Sequence, residues 1–325
     1  MRLRTSPRRG AATVASIAVA ALALSTLAAC GSSGSAKKTA DDVTVTGAFD
    51  KQPTINVPKG KPPATTDVKV LSRGAGPALQ SGDLAVVDGY GRTWGSDASF
   101  ENTYTSTAVP DTLPVGTGQM QLTGLDKALL GVPTGSRVLI VLPPKEGFGL
   151  ASQLPTGVKK TDTAVLVFDV LAGYRGNQGP TGQQVASGGG ALPTVTSTSL
   201  TQKPTLSIPK TAAPTTLSVT TLIKGDGPAV AKGQELVVQY LGEIWASGKE
   251  FDSSWQRGQP TAFTVGVGQL IQAWDQGLVG VPVGSRVLIV APPGAAYGAS
   301  GQPSAGISGT DTLVFVVDVL GAYSA

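Results

Sequence analysis

Asp252 stands directly after Phe251 and five residues before Arg257, a carboxylate set beside an aromatic ring with a cation in reach. A small apolar domain gains little from such a charge unless it is paired and used, so this trio is the first candidate for chemistry. Taken singly, each residue also has a plain structural use. Asp before Ser253 and Ser254 suits a turn or cap, and Trp, Phe, Ile and Tyr in a β-rich domain fill a core. The sequence has no histidine. Ser-His-Asp, Cys-His and most transition-metal sites lean on imidazole, so hydrolytic and metal-centred readings fall away. Neither a Gly-Lys-Ser/Thr loop nor a strand-linked dinucleotide fingerprint is present, which leaves nucleotide binding unsupported.

Cys30, the one cysteine, is the second residue that chemistry singles out, and its solitude excludes a disulfide framework. Arg2, Arg4, Arg8 and Arg9 precede an apolar, Ala-rich run from Ala11 to Ala29 that closes as Leu27-Ala28-Ala29-Cys30. A membrane-spanning helix needs about 20 apolar residues, whereas this run is shorter and ends in small residues, the pattern of a cleaved leader. The ending resembles that of bacterial lipoproteins, in which the cysteine thiol receives diacylglycerol. The resemblance implies acylation at Cys30, export, and a lipid anchor on the outer face of the bacterial cell membrane. The Arg8-Arg9 pair is followed by Gly10, Ala11 and Ala12, so the export route stays open. The four leader arginines account for the whole net charge of +4, and the mature chain is near neutral. No basic stripe survives to recommend nucleic acid as a partner.

A chain of 325 residues suits two compact domains with connecting segments. Gly31 to Ser35 and the lysines after them predict a flexible tether over 30–48, and a Gly/Ser/Thr-rich stretch predicts a linker over 175–199. On either side of that linker the sequence repeats itself. Gly135-Ser-Arg-Val-Leu-Ile-Val141 recurs as Gly284-Ser-Arg-Val-Leu-Ile-Val290, 149 residues on. Val165-Leu-Val-Phe-Asp-Val-Leu171 parallels Val314-Phe-Val-Val-Asp-Val-Leu320, and Pro53 to Pro58 mirrors Pro204 to Pro209. So long a period means one domain duplicated, over 49–174 and 200–325, rather than a solenoid. In the second copy, β-branched runs predict strands over 217–223, 235–244, 262–265, 286–291 and 312–320. Leu270, Ile271, Trp274 and Leu278 recur at helical spacing and predict a helix over 269–279. Each domain is therefore expected to be α+β, an antiparallel β-sheet wrapped around one short α-helix.

The residues that fill this frame in the second copy resemble the FKBP-type peptidyl-prolyl cis-trans isomerases, or rotamases. The carriers are Val238-Gln-Tyr-Leu-Gly242, Gly248-Lys-Glu-Phe-Asp-Ser-Ser254, Arg257, Leu270-Ile271, Trp274, Val283-Gly284, Tyr297-Gly298, Gly301 and Leu313-Val-Phe315, spread over nearly all of 217–323. The resemblance implies a prolyl pocket formed by Tyr240, Phe251, Asp252, Arg257, Leu270, Ile271, Trp274, Tyr297, Ile307 and Phe315, with Trp274 as its floor. It also implies that the Ile271 N–H and the Tyr297 hydroxyl hold substrate carbonyls, and that Asp252, tied to Tyr240 and Arg257, sits beside the reacting imide. Tyr240, Asp252 and Tyr297 are then the catalytic candidates. Proline-containing polypeptides and tacrolimus-like macrolides are the implied ligands, without cofactor, metal or covalent intermediate. Departures are Thr261 where the family usually has a pocket aromatic, Gln302 where many members carry histidine, and a loop over 302–309 one residue longer.

The first copy departs further. Phe100 is kept, but Glu101 follows it and no arginine falls where Arg257 does. Leu125 replaces the floor tryptophan, Phe148 the tyrosine and Leu166 the Phe315 ring; Gly89 takes the register of Tyr240, and Gln121 or Leu122 stands for Ile271. The expectation is a degenerate, non-catalytic first domain and a catalytic second one that isomerises X–Pro bonds of exported or envelope proteins. A non-catalytic envelope chaperone or client-binding module is the competing expectation.

Overall fold

The computed structural model describes residues 38–324; the expected leader and Cys30 lie outside the described residues. In the first copy the strands are β1 (Thr44–Thr46), β2 (Thr54–Asn56), β3 (Asp67–Ser72), β4 (Leu84–Thr93), β5 (Ser99–Asn102) and β6 (Asp111–Pro114). Helix α1 (Thr123–Ala128), β7 (Arg137–Leu142) and β8 (Ala164–Tyr174) complete it. The second copy starts with β9 (Gln183–Gln184), β10 (Thr194–Thr196) and β11 (Thr205–Ser207), followed by β12 (Ser218–Lys224), β13 (Glu235–Ile244) and β14 (Glu250–Ser253). Then come α2 (Ser254–Arg257), β15 (Thr261–Thr264), α3 (Gln272–Gly277), β16 (Arg286–Ala291) and β17 (Leu313–Tyr323). The sheets are antiparallel, in the order β3-β7-β8-β4-β5 with β6 beside β4, and β14-β13-β17-β16-β12-β9 with β15 beside β13. This is the expected α+β class, met twice. Among the described residues no helix is long and apolar enough to cross a membrane.

Alternation along the central strands shows why they carry unbroken apolar runs. Val287, Ile289, Phe315 and Val317 face the helix side, while Leu288, Val290, Val314 and Val316 face the opposite side. A strand buried on both faces reads as a continuous Val/Ile/Leu run. The second face is covered by something the sequence reading did not foresee. A short hairpin, β1–β2 in one copy and β10–β11 in the other, lays Val45 and Ile55, or Val195 and Leu206, on the sheet.

Those hairpins correct two boundaries. The tether expected to run to residue 48 gives way to folded chain by Ala40, which is buried with Val43 against Leu139 and Val165. The linker expected over 175–199 is ordered, with β9 paired to β12 and β10 paired to β11. The duplicated unit therefore begins upstream of the expected boundaries, at the Thr-Val-Thr of β1 and of β10. A buried Arg–Asp pair fastens each hairpin. Arg286 Nε and Nη2 donate to Asp318 at 2.6 and 2.8 Å, and Nη1 donates to Ser197 Oγ at 2.6 Å. In the first copy Arg137 binds Asp169 in the same fork, at 2.7 and 2.6 Å, and donates to the carbonyls of Gly47 and Lys51.

The expected helix over 269–279 is shorter, spanning α3 only. Leu270 and Ile271 precede it, and Ile271 is extended at φ −60°, ψ 146°, with its carbonyl accepting from Trp274 and Asp275 N–H. Asp275 turns back to accept from the N–H groups of Gly266 and Gly268, both at 2.7 Å, which pins the loop that presents Leu270 and Ile271. The spacing matched a helix because apolar residues on an approach loop and on the helix itself both point into one core.

Candidate active site

Strand β13 supplies Tyr240 and Gly242, which lie opposite Val317 and Phe315 of β17. Gly242 is required by space: a Cβ there would stand 2.6 Å from the Phe251 ring, which packs over this point of the strand. Strand β14 delivers Phe251 and Asp252, and α2 starts at once, so that Arg257 returns over the Tyr240 ring at 5.3 Å. Tyr240 is fixed from behind as well, since its N–H donates to Ser254 Oγ at 2.8 Å and Ser254 in turn bonds the buried Gln239 amide.

Trp274 of α3 stands edge-on to three rings: Tyr240 at 5.2 Å, Phe263 at 5.5 Å and Phe315 at 5.6 Å, with interplanar angles of 87°, 90° and 83°. Phe251 meets Phe315 the same way at 5.6 Å. Edge-to-face pairs at such spacing add about 0.5–1.5 kcal/mol each beyond burial, so the box is rigid. The rings enclose a cavity of about 280 Å³ completed by Leu270, Ile271, Asp252 and Tyr297. Trp274 Nε1 is buried without an acceptor among the described residues, a donor left unused next to this space.

At the rim the Tyr240 hydroxyl donates to Asp252, Arg257 Nη1 donates to the same carboxylate, and Arg257 Nη2 donates to the Tyr240 oxygen at 2.9 Å. Burial pushes the Tyr240 hydroxyl above its ordinary range, and the bond to the Asp252 carboxylate adds to the shift. Tyr297, 37 % exposed, is pushed up by burial and then by the Asp252 charge. Both hydroxyls are thus proton-bearing donors at neutral pH. An exposed Asp–Arg pair contributes about 0–1 kcal/mol to stability, so holding the fold together does not account for this array. Nothing at the site pairs a nucleophile with a base; the arrangement suits non-covalent work on an apolar group with carbonyls beside it.

Of the expected pocket residues, Tyr240, Phe251, Asp252, Leu270, Ile271, Trp274, Tyr297 and Phe315 line this cavity. Arg257 braces it from outside. Ile307 does not line it; bridged to Gln302 across the loop, Ile307 is tucked into the core with Trp274 and Phe315. Phe263 and Gln269 line the cavity without having been foreseen. Alternation along β15 held the signal for Phe263, which shares a face with Thr261, the position already noted as lacking an aromatic.

In the first copy the corresponding space is filled. Gly89 lies opposite Phe168, and a Cβ on it would meet the Phe168 ring at 2.7 Å, so that ring occupies the place of a tyrosine side chain. Phe148 is 5 % exposed and packs edge-on against Phe100 at 5.1 Å, within a core that includes Leu125 and Leu166. Leu122 precedes α1 as Ile271 precedes α3, which decides between the two candidates for that position. Glu101 has no cation beside it among the described residues, and burial pushes its carboxyl up.

Comparison with known proteins agrees with the geometry. The family model described as FKBP-type peptidyl-prolyl cis-trans isomerase matches twice, over residues 76–171 and 227–320, more than half of the chain. An FK506-binding protein of Streptomyces anulatus is 40 % identical over 119 residues, covering 37 % of this chain and 96 % of that protein. The peptidyl-prolyl cis-trans isomerase Fkbp12 of Drosophila melanogaster is 38 % identical over 105 residues, 32 % of this chain and 95 % of its own. Among solved structures, the crystal structure of AtFKBP13 is 33 % identical over 35 % of this chain and 96 % of its own, with a TM-score of 0.31. A fold of this class around an aromatic cavity is that of a rotamase. The chain belongs to the FKBP-type peptidyl-prolyl cis-trans isomerase family and carries the family's domain twice.

Proposed function

We propose that the second copy isomerises X–Pro bonds in its aromatic cavity and that the first copy does not. The observation that carries this reading is Trp274 boxed by three edge-on rings, with the Tyr240–Asp252–Arg257 array at the rim. Rotation about a peptide bond faces a barrier of about 18–20 kcal/mol because the planar amide is resonance-stabilised and dipolar. The twisted amide has lost that charge separation, and a water-poor aromatic cavity favours it over the planar ground state. In this reading the proline ring sits on Trp274, the Ile271 N–H and Tyr297 hydroxyl hold substrate carbonyls, and Asp252 stands beside the reacting imide. Phe251, Leu270 and Phe315 exclude water. Tacrolimus-like macrolides would occupy the same cavity. The filled core of the first copy supports its lack of turnover.

The substrates we infer are proline-containing exported or envelope proteins, because the Leu27-Ala28-Ala29-Cys30 ending after an apolar run supports leader removal and acylation at Cys30. For the catalytic reading, the measurement is kcat/KM of the full chain on a short apolar-Pro peptide. Asp252→Ala and Trp274→Leu should each lower it by about tenfold or more. Retention of full turnover in both variants would remove the cavity from the mechanism.

A further inference from the structure

The two copies meet through side chains that fix their arrangement. The Gln259 amide donates to the carbonyls of Gly82 and Asp83 at 3.1 and 3.0 Å, and the Tyr174 and Tyr323 hydroxyls are 2.5 Å apart. Leu84, Val86 and Val237 are buried together beneath them. Beside this contact lies a second cavity of about 300 Å³, walled by Thr112, Pro114 and Gln119 of the first copy and by Arg257, Pro260 and Thr261 of the second. Two features of its walls bear on what it holds. Strands β6 and β15 both border it, and among the described residues each pairs on one side only, β6 with β4 and β15 with β13. An edge strand offers unpaired backbone donors and acceptors, the surface to which an extended polypeptide adds. The second feature is continuity. Arg257 walls this cavity and also holds Asp252 and Tyr240 at the rim of the aromatic one, while Thr261 shares a strand face with Phe263 inside it.

We propose that this junction groove is a second subsite of the isomerase, binding the extended polypeptide that flanks the reacting proline as it leaves the aromatic cavity past Arg257 and Thr261. The proposal rests on reading the aromatic cavity as the prolyl site. It gives the first copy a task that needs no pocket of its own: its edge strand forms one wall for substrate engaged by the second copy. The walls carry no charge except Arg257, whose guanidinium is already spent on Asp252, so the groove suits uncharged flanking residues held through their backbone. A junction held by buried apolar contacts and these three hydrogen bonds is preorganised, and ordering it on binding costs little.

The test uses the full chain, with Gln119→Trp on an exposed loop and Thr112→Trp on β6 to fill the groove. Two substrates are compared: a tetrapeptide that reaches only the aromatic cavity, and an unfolded protein whose refolding is limited by X–Pro isomerisation. Both variants should lose about fivefold or more in kcat/KM on the protein substrate while the tetrapeptide rate stays at the parent value. Equal effects on the two substrates, or none on the protein, would overturn the subsite. Fluorescence anisotropy of a labelled peptide of about 12 residues with one central proline gives a reading independent of turnover. If the parent fails to turn over the tetrapeptide, the prolyl-site reading has failed on its own. Weaker peptide binding in the two variants would then still support the groove, and unchanged binding would overturn it.

Discussion

At the scale of single residues, the difference between the copies comes down to where two side chains point. Tyr297 is 37 % exposed and lines an open cavity, whereas Phe148, its counterpart, is 5 % exposed and packed on Phe100. A hydroxyl carries the burial cost of a polar group, so the tyrosine remains at the edge and the phenylalanine sinks into the core. Removing that hydroxyl tests its role. Tyr297→Phe should lower kcat/KM on a short prolyl peptide by about fivefold, the cost of one hydrogen bond strengthened in the transition state, with the urea midpoint unmoved. A rate equal to the parent's would mean that substrate carbonyls find their donor elsewhere, at the Ile271 N–H or at the Trp274 indole, whose buried N–H has no acceptor among the described residues. Since Tyr240 and Tyr297 are both pushed above the ordinary tyrosine range, the parent rate should also be flat over about pH 6–9.

Among the elements, the strand repeat was legible and its fastening was not. Gly-Ser-Arg-Val-Leu-Ile-Val announced a central strand twice, because burial on both faces leaves an unbroken apolar run. The arginine inside each run was the unexplained letter. Its meaning lies in Asp318 or Asp169 on the neighbouring strand and in the hairpin loop that the guanidinium holds, contacts 32 and roughly 90 residues away along the chain. The hairpins themselves escaped notice because a three-residue Thr-Val-Thr strand in a Ser/Thr-rich stretch has too few positions to display a period, although it occurs at 44–46 and again at 194–196. The site was more legible: a resemblance carried by sequential motifs found its rings and the tie of Asp252 to Tyr240 and Arg257, while Phe263 and the place of Arg257 outside the lining depended on strand alternation and on α2. Burial and pairing make the Arg286–Asp318 fork a sharp test. Arg286→Met leaves a buried carboxylate without its cation and should cost about 3–5 kcal/mol by urea denaturation, while Arg286→Met with Asp318→Leu should recover most of that. A double variant as unstable as the single one would show that the fork serves the hairpin through geometry and not through charge compensation.

For the whole molecule, the junction brings acids of both copies together. Asp111, at the start of β6, is pushed up to about 7, first by burial and then by the charges of Glu101, Asp88 and Glu235. Glu235 belongs to the second copy, where it accepts from Thr264 Oγ1 at 2.8 Å and is itself raised by burial. The folded protein therefore keeps a proton on Asp111 that the unfolded chain releases near pH 4. Between about pH 4 and 7 the folded state binds more protons than the unfolded one, so this group's stabilising contribution is present at low pH and is lost as pH rises through 7. Asp111→Asn mimics the protonated side chain at every pH. Its melting temperature should match the parent's near pH 4 and exceed it at pH 8 by roughly 2–6 °C, corresponding to about 1–2 kcal/mol for a body of this size after allowance for solvent screening. Glu235→Gln in the other copy should give a smaller gain of the same sign, since it removes one of the charges acting on Asp111 across the junction. Parallel melting curves for parent and Asp111→Asn from pH 4 to 8 would mean that Asp111 is not held protonated by burial in solution, and the absence of any gain in Glu235→Gln would mean that the second copy's carboxylate does not act on it.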